Sequence, residues 1–208
     1  MTVERIPIES RDAWLELRRQ DVTASDVAAV CGVDPRKTPL QVYAEKLGLI
    51  PQQIDNQIMR RGRWLEAAFI EALADKQSQW ETRRAKIYLR DPAIRIGATP
   101  DIVAIDPERE GIGIIQCKVV SRPVFRSQWL DEGEGPITAP LSYQLQTLTE
   151  SMLANVDWAV IAALIVSGSR ISPTRMTSGS WRSAWRSASP NDFVSLPISR
   201  CFTTLREF

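Results

Sequence analysis

Apolar positions along the chain change period several times, and each change marks an element. Trp14 and Leu17 share one face of a helix predicted from Arg11 to about Gln20, with Ser10 as its cap. Ser25 or Asp26 is placed to cap a second, short helix that ends near Gly32. A third starts at about Pro39, tolerated in a first turn, and stops at Gly48. The longest predicted helix runs from about Asn56 to Lys76, with Ile58, Leu65, Phe69, Ile70 and Leu73 at helical spacing. From Trp80 to Leu89 the pattern alternates as in a strand. Ile102–Ile105 and Ile112–Ile115 are short apolar runs joined by the turn-forming Asp106-Pro107-Glu108-Arg109-Glu110-Gly111. Tyr143 to Ala154 is again helical, and Trp158 to Val166 is a continuous apolar run suited to a buried strand. Helices, then strands, then helix and strand predict an α/β chain with a mixed central sheet flanked by helices.

The hairpin around residues 97–118 carries the chemistry. It opens on Gly97-Ala98-Thr99-Pro100-Asp101 and closes on Gln116-Cys117-Lys118. Side chains two apart on a strand share a face, so Gln116 and Lys118 point one way and Cys117 the other. Pairing brings Asp101 level with Gln116 and Lys118. Oxygen ligands beside an ammonium group suit metal-assisted phosphodiester hydrolysis, in which the cation offsets charge in the transition state. On spacing alone, a Pro-Asp turn and a solvated strand lysine are the commoner meaning of such a pattern.

Three further segments occur in order with it: Trp14-Leu15-Glu16-Leu17-Arg18 followed by Val22-Thr23-Ala24-Ser25-Asp26; Gly62-Arg63-Trp64-Leu65-Glu66; and Tyr143-Gln144-Leu145-Gln146. Together the four resemble the lambda-type exonuclease, or YqaJ-like viral recombinase, family of the PD-(D/E)XK nuclease superfamily, from about Trp14 to Ile165. The departure is Gln116, where most members carry Glu. The resemblance implies a restriction-endonuclease-like core and a Mg²⁺-dependent 5′→3′ exonuclease acting on double-stranded DNA ends in phage-type recombination, with Mn²⁺ as an alternative ion. It implies catalytic roles for Asp101, Gln116, Lys118 and Glu66, and metal ligation by Asp101, Gln116, Glu66 and the Cys117 carbonyl. For the 5′-phosphate and DNA it implies Arg18, Ser25 and Thr99, a second cation from Arg122 or Arg126, and one of Gln144 and Gln146, which face different sides of their helix. A single-strand annealing protein as partner and a ring-shaped homo-oligomer are further implications. Two other functions remain open: a catalytically silent DNA-end-binding protein, since an amide brings no charge to a metal, and a sequence- or structure-specific endonuclease.

Composition narrows the chemistry. The chain has 208 residues, 44% of them hydrophobic, which is enough for one well-buried core. It has no histidine, which excludes Ser-His-Asp hydrolysis, histidine zinc sites and histidine general bases. Cys31, Cys117 and Cys201 form no CxxC pair, so reduced thiols are expected rather than a disulfide framework, zinc ribbon or iron–sulfur cluster. No signal peptide or membrane-length apolar run is apparent, and a cytoplasmic location is the expectation.

Charge divides the chain. Residues 1–166 hold 20 basic and 23 acidic side chains, against 6 and 2 in residues 167–208, so the body is about −3 and the tail +4. Those 42 tail residues include 10 serines and show neither helical nor strand periodicity. Residues 1–166 are therefore expected to form the nuclease-like domain, and residues 167–208 a Ser/Arg-rich tail that is disordered or non-native. A shifted reading frame near residue 166 and a genuine basic tail that touches DNA through Trp181 and Trp185 are both compatible with this composition.

Overall fold

The computed structural model describes residues 2–51, 57–130, 137–166 and 193–197. Six helices and nine strands are assigned within them. In order they are β1 (Glu4–Pro7), α1 (Arg11–Gln20), β2 (Val22–Thr23), α2 (Ala24–Val30), α3 (Pro39–Lys46), α4 (Gln57–Lys76), β3 (Glu81–Arg84) and β4 (Ile87–Asp91). There follow β5 (Ile96–Ala98), β6 (Ile102–Ile105), β7 (Gly113–Ser121), α5 (Arg122–Gln128), α6 (Leu141–Ala154), β8 (Trp158–Val166) and β9 (Phe193–Pro197). No helix among the described residues is long and apolar enough to cross a membrane.

The strands form two sheets. The larger is mixed, in the order β3-β6-β7-β8-β9, with β7 and β8 parallel and its other neighbours antiparallel. The smaller has the order β1-β4-β5-β2. The alternating stretch from Trp80 to Leu89 is therefore not one strand. At Ala85 and Lys86 the chain leaves the first ladder: Ala85 N–H donates to the Asp101 carbonyl at 3.0 Å, and the Lys86 carbonyl accepts from Ile8 N–H at 3.2 Å. Arg83 and Arg84 thus pair with β6, whereas Ile87 onward pairs with β1.

Both faces of β7 and β8 are covered, which explains their continuous apolar sequence. On one face Ile114, Ile161, Ala163 and Ile165 join Phe125 and Trp129 of the α5 region and Leu153 of α6. On the other, Ile115, Val160, Ala162 and Leu164 pack with Phe69 and Leu73 of α4. The strand thus separates a face toward α6 from a face toward α4, and this decides where each site residue points.

Two expectations are corrected. The cap of α2 is Thr23, whose N–H and hydroxyl both donate to the Asp26 carboxylate, at 3.2 and 2.6 Å, in a capping box. The tail contains a strand: β9 pairs antiparallel with β8, Ala162 opposite Ser195, along the edge of β8 away from β7. Phe-Val-Ser-Leu-Pro is short, and its apolar residues are submerged in the Ser/Arg composition around it. Residues 167–192 and 198–208 lie outside the described residues, Trp181, Trp185 and Cys201 among them.

Candidate active site

β6 and β7 pair with Ile102 opposite Ile115, which sets Asp101 level with Gln116. Gln116 Nε2 donates to Asp101 Oδ2 at 2.7 Å, and the Cys117 N–H donates to the same oxygen at 2.8 Å. The Gln116 side chain is only 4% exposed with its residue, and its Oε1 is buried without a hydrogen-bond partner. A buried amide oxygen without a donor, beside a carboxylate that accepts two, is an unsatisfied acceptor. Asp101 itself is pushed up to about 6, first by burial; the Lys118 charge and the Cys117 N–H oppose this, and the Glu66 charge adds to it.

Glu66 reaches this neighbourhood from α4, which packs across β7. Its Oε1 accepts from Arg84 of β3 at 2.7 Å. The thiol of Cys117 faces α4, packs against the apolar cluster there and is held protonated, mainly by burial and then by the Asp101 charge.

Lys118, on the same strand face as Gln116, turns toward α6. Its ammonium donates to Gln146 Oε1 at 2.8 Å and lies 4.7 Å from the centre of the Tyr143 ring. Burial lowers its pKa, while the charges of Asp101 and Glu150 support the protonated form. The half-buried lysine thus meets an amide oxygen at hydrogen-bond distance, with carboxylates acting from farther away. Gln144 is turned elsewhere, its Nε2 donating to the Ala139 carbonyl at 2.6 Å. Of the two glutamines, Gln146 meets Lys118.

A second cluster forms where α1 meets α2. Arg18 donates to Ser25 Oγ at 2.9 Å and stacks over Trp14, 4.6 Å from its ring centre. Trp14 Nε1 in turn donates to Thr99 Oγ1 at 3.0 Å, two residues before Asp101. Ser25 also shares a hydrogen bond with Thr23 at 2.9 Å. Arg18, Ser25 and Thr99 are thereby tied into one chain of contacts that leads to Asp101. Beneath it, the Asp26 carboxylate meets Lys46 at 2.8 Å and Lys37 at 2.9 Å. Burial would raise its pKa, but Lys46 above all, with Thr23 and Lys37, holds it well below the usual carboxylate range. Arg122 and Arg126 are exposed on α5.

Three residues here were given no site role by sequence reasoning. Glu150 is 1% exposed and accepts from Gln146 Nε2 at 2.8 Å. Tyr143 lies under the Lys118 ammonium, and Arg36 contacts the Tyr143 side chain. Spacing held a signal for Glu150: it is four residues after Gln146, hence its neighbour on the helix.

The oxygen set suits a hard divalent cation. Among the described residues, no three Asp, Glu, Cys or His side chains converge as a ready-made metal cluster. What the strand pair offers instead is the Asp101 carboxylate, the unpartnered Gln116 amide oxygen, and Glu66 close enough for its charge to be felt at Asp101.

The fold is similar to that of an alkaline exonuclease, LHK-Exo, from Laribacter hongkongensis: TM-score 0.55, 19% identity, 89% of this chain and 80% of that one covered. A second structure of LHK-Exo, in complex with dAMP, matches with TM-score 0.56 at 19% identity, covering 90% and 81%. The YqaJ protein of Bacillus subtilis (strain 168) is 27% identical over 128 residues, which are 59% of this chain but only 37% of that relative. The YqaJ-like viral recombinase domain matches residues 13–157, a span holding Arg18, Glu66, Asp101, Lys118 and Gln146. The chain belongs to the YqaJ-like viral recombinase domain family.

Proposed function

We propose that this chain is a divalent-metal-dependent exonuclease that digests one strand of duplex DNA, 5′→3′, from 5′-phosphorylated ends. The observation that carries the reading is the hydrogen-bonded Asp101–Gln116 pair with an orphaned, buried amide oxygen, two residues along β7 from an ammonium held by Gln146. Asp101, Gln116, Glu66 and the Cys117 carbonyl would hold Mg²⁺, or Mn²⁺ in its place. When bound, such an ion lowers the pKa of a bound water and polarises a phosphoryl oxygen. The chain's own share is to place and neutralise. Lys118 orients the attacking water and offsets charge gathering on the scissile phosphate. Arg18, Ser25 and Thr99 take the terminal phosphate, the guanidinium supplying charge and the hydroxyls geometry. Arg122 or Arg126 adds a cation along the DNA. The 3′ strand left behind would pass to an annealing protein, and a ring of copies would keep the enzyme on its substrate.

A second reading has its own support. Gln116 Nε2 occupies the Asp101 oxygen that a metal would claim, and an amide contributes no charge to replace it. This favours a DNA-end-binding protein without catalysis. One experiment separates the readings: linear and covalently closed circular duplex, each with and without Mg²⁺. Digestion of linear DNA alone, only with Mg²⁺, is the expected result. Cleavage of the circle would indicate an endonuclease, and end binding without digestion a silent protein.

A further inference from the structure

Gln146 joins α6 to β7 through both ends of one amide. Its oxygen accepts from Lys118 and its nitrogen donates to Glu150, each at 2.8 Å. The group is bipolar, so a half-turn would set an NH₂ against the Lys118 ammonium and remove the donor that Glu150 Oε1 accepts. Whatever fixes the nitrogen end therefore fixes which atom Lys118 meets. Glu150 does this from a dry position, 1% exposed, and its second oxygen is buried without a partner. Leaving a buried carboxyl group half-satisfied costs stability, and an apolar side chain would fill the same space without that cost. Packing alone gives no reason for an acid here. Tyr143, Gln146 and Glu150 follow one another along one side of α6, at spacings of three and four residues.

We infer that Glu150 is a positioning residue of the nuclease centre: it locks the Gln146 amide with its oxygen toward Lys118 and so holds the ammonium on the Asp101–Gln116 side of α6. This rests on the proposed nuclease role of Lys118.

The test combines kinetics with a readout that needs neither metal nor DNA. Glu150→Leu should lower kcat on linear duplex by about 10–100-fold, the usual effect of removing a group that orients a site residue, with KM and Mg²⁺ requirement little changed. Glu150→Gln keeps an acceptor oxygen and should retain most of the wild-type kcat. Gln146→Leu should resemble Glu150→Leu, and the double variant should be no worse than Gln146→Leu alone. Effects that multiply, a wild-type rate in Glu150→Leu, or equal losses in the Gln and Leu variants would each overturn the inference. Glu150→Met serves as the apolar variant if Leu prevents folding. In metal-free protein, the Gln146 side-chain NH₂ should be protected from exchange in the wild type and in Glu150→Gln, and unprotected in the apolar variant. An unprotected wild type would overturn the inference whatever the activity. An inactive wild type with the expected protection would sink the nuclease reading while supporting the Glu150–Gln146–Lys118 arrangement.

Discussion

In the proposed reading, Gln116 sets how tightly the site would hold a cation. An amide oxygen ligates a hard ion but adds no charge, so Asp101 and Glu66 would carry the electrostatics. Gln116→Glu should lower the Mg²⁺ concentration for half-maximal activity, or the Kd by calorimetry, at least about tenfold, given the size of charge–charge attraction at ligand distance. An unchanged or weaker requirement would show that Gln116 does not face the ion. Glu150 gives a prediction of another kind. Its carboxyl is pushed from the ordinary 4.5 up to about 8, chiefly by burial and then by the Asp101 charge, against Lys118, the Gln146 hydrogen bond and Arg18. The folded state therefore keeps this proton longer than the unfolded chain does. The stability so gained is full below about pH 4.5 and is lost as pH rises through about 8. Glu150→Gln cannot ionise, so its Tm should fall less across that window than the wild type's; parallel curves would contradict the assignment. At this scale the sequence was legible where a strand's alternation governs. Asp101 level with Gln116, Lys118 on the Gln116 face and Cys117 opposite all follow from a period of two. The partners of Lys118 and Glu66 were not, because they come from elements brought together only by packing.

Elements with a long, repeated pattern were read to within a residue or two: α1, α3, α4, α6 and β8. Those that failed are short or depend on partners. Glu4–Pro7, Val22–Thr23 and Ile96–Ala98 give too few residues for a period to show. Gly97 in β5 has a reason that only the fold reveals: the Tyr88 ring lies where a side chain would begin, and its hydroxyl donates to the buried Asp21 at 3.1 Å. Helix α5 carried a missed signal, a proline in its first turn after Ser121. The α1–α2 corner bears the prediction at this scale. Arg18 and Ser25, seven residues apart, meet because α1 ends, β2 passes and α2 begins within five residues. Arg18→Ala should reduce the preference for 5′-phosphate over 5′-hydroxyl ends by roughly tenfold, the scale of one charge-assisted phosphate contact, with the metal requirement intact. The ratio of rates on the two substrates measures it, and an unchanged ratio would remove Arg18 from the phosphate pocket.

Across the whole molecule, one parallel strand pair organises both core and chemistry. β7 and β8 divide an α4 side from an α6 side; Glu66 comes from the first, Gln146 and Glu150 from the second, and Asp101 from the bend just before β6. The α/β class and the order of the longer helices and strands were legible because each of those parts has its own period. The division into two sheets was not, since the chain from Trp80 to Leu89 alternates without a break while its hydrogen bonds change partner at Ala85 and Lys86. The strand Phe193–Pro197 escaped because composition was averaged over the tail. The central claim is that this arrangement, with a divalent ion, hydrolyses DNA from its ends. The most direct measurement is nucleotide release from 5′-phosphorylated linear duplex in Mg²⁺ by the wild type, Asp101→Ala and Lys118→Ala. Losing a group that stabilises transition-state charge costs roughly 10²–10³ in rate, so each variant should fall at least that far while remaining folded. Release at the wild-type rate by either folded variant would contradict the account.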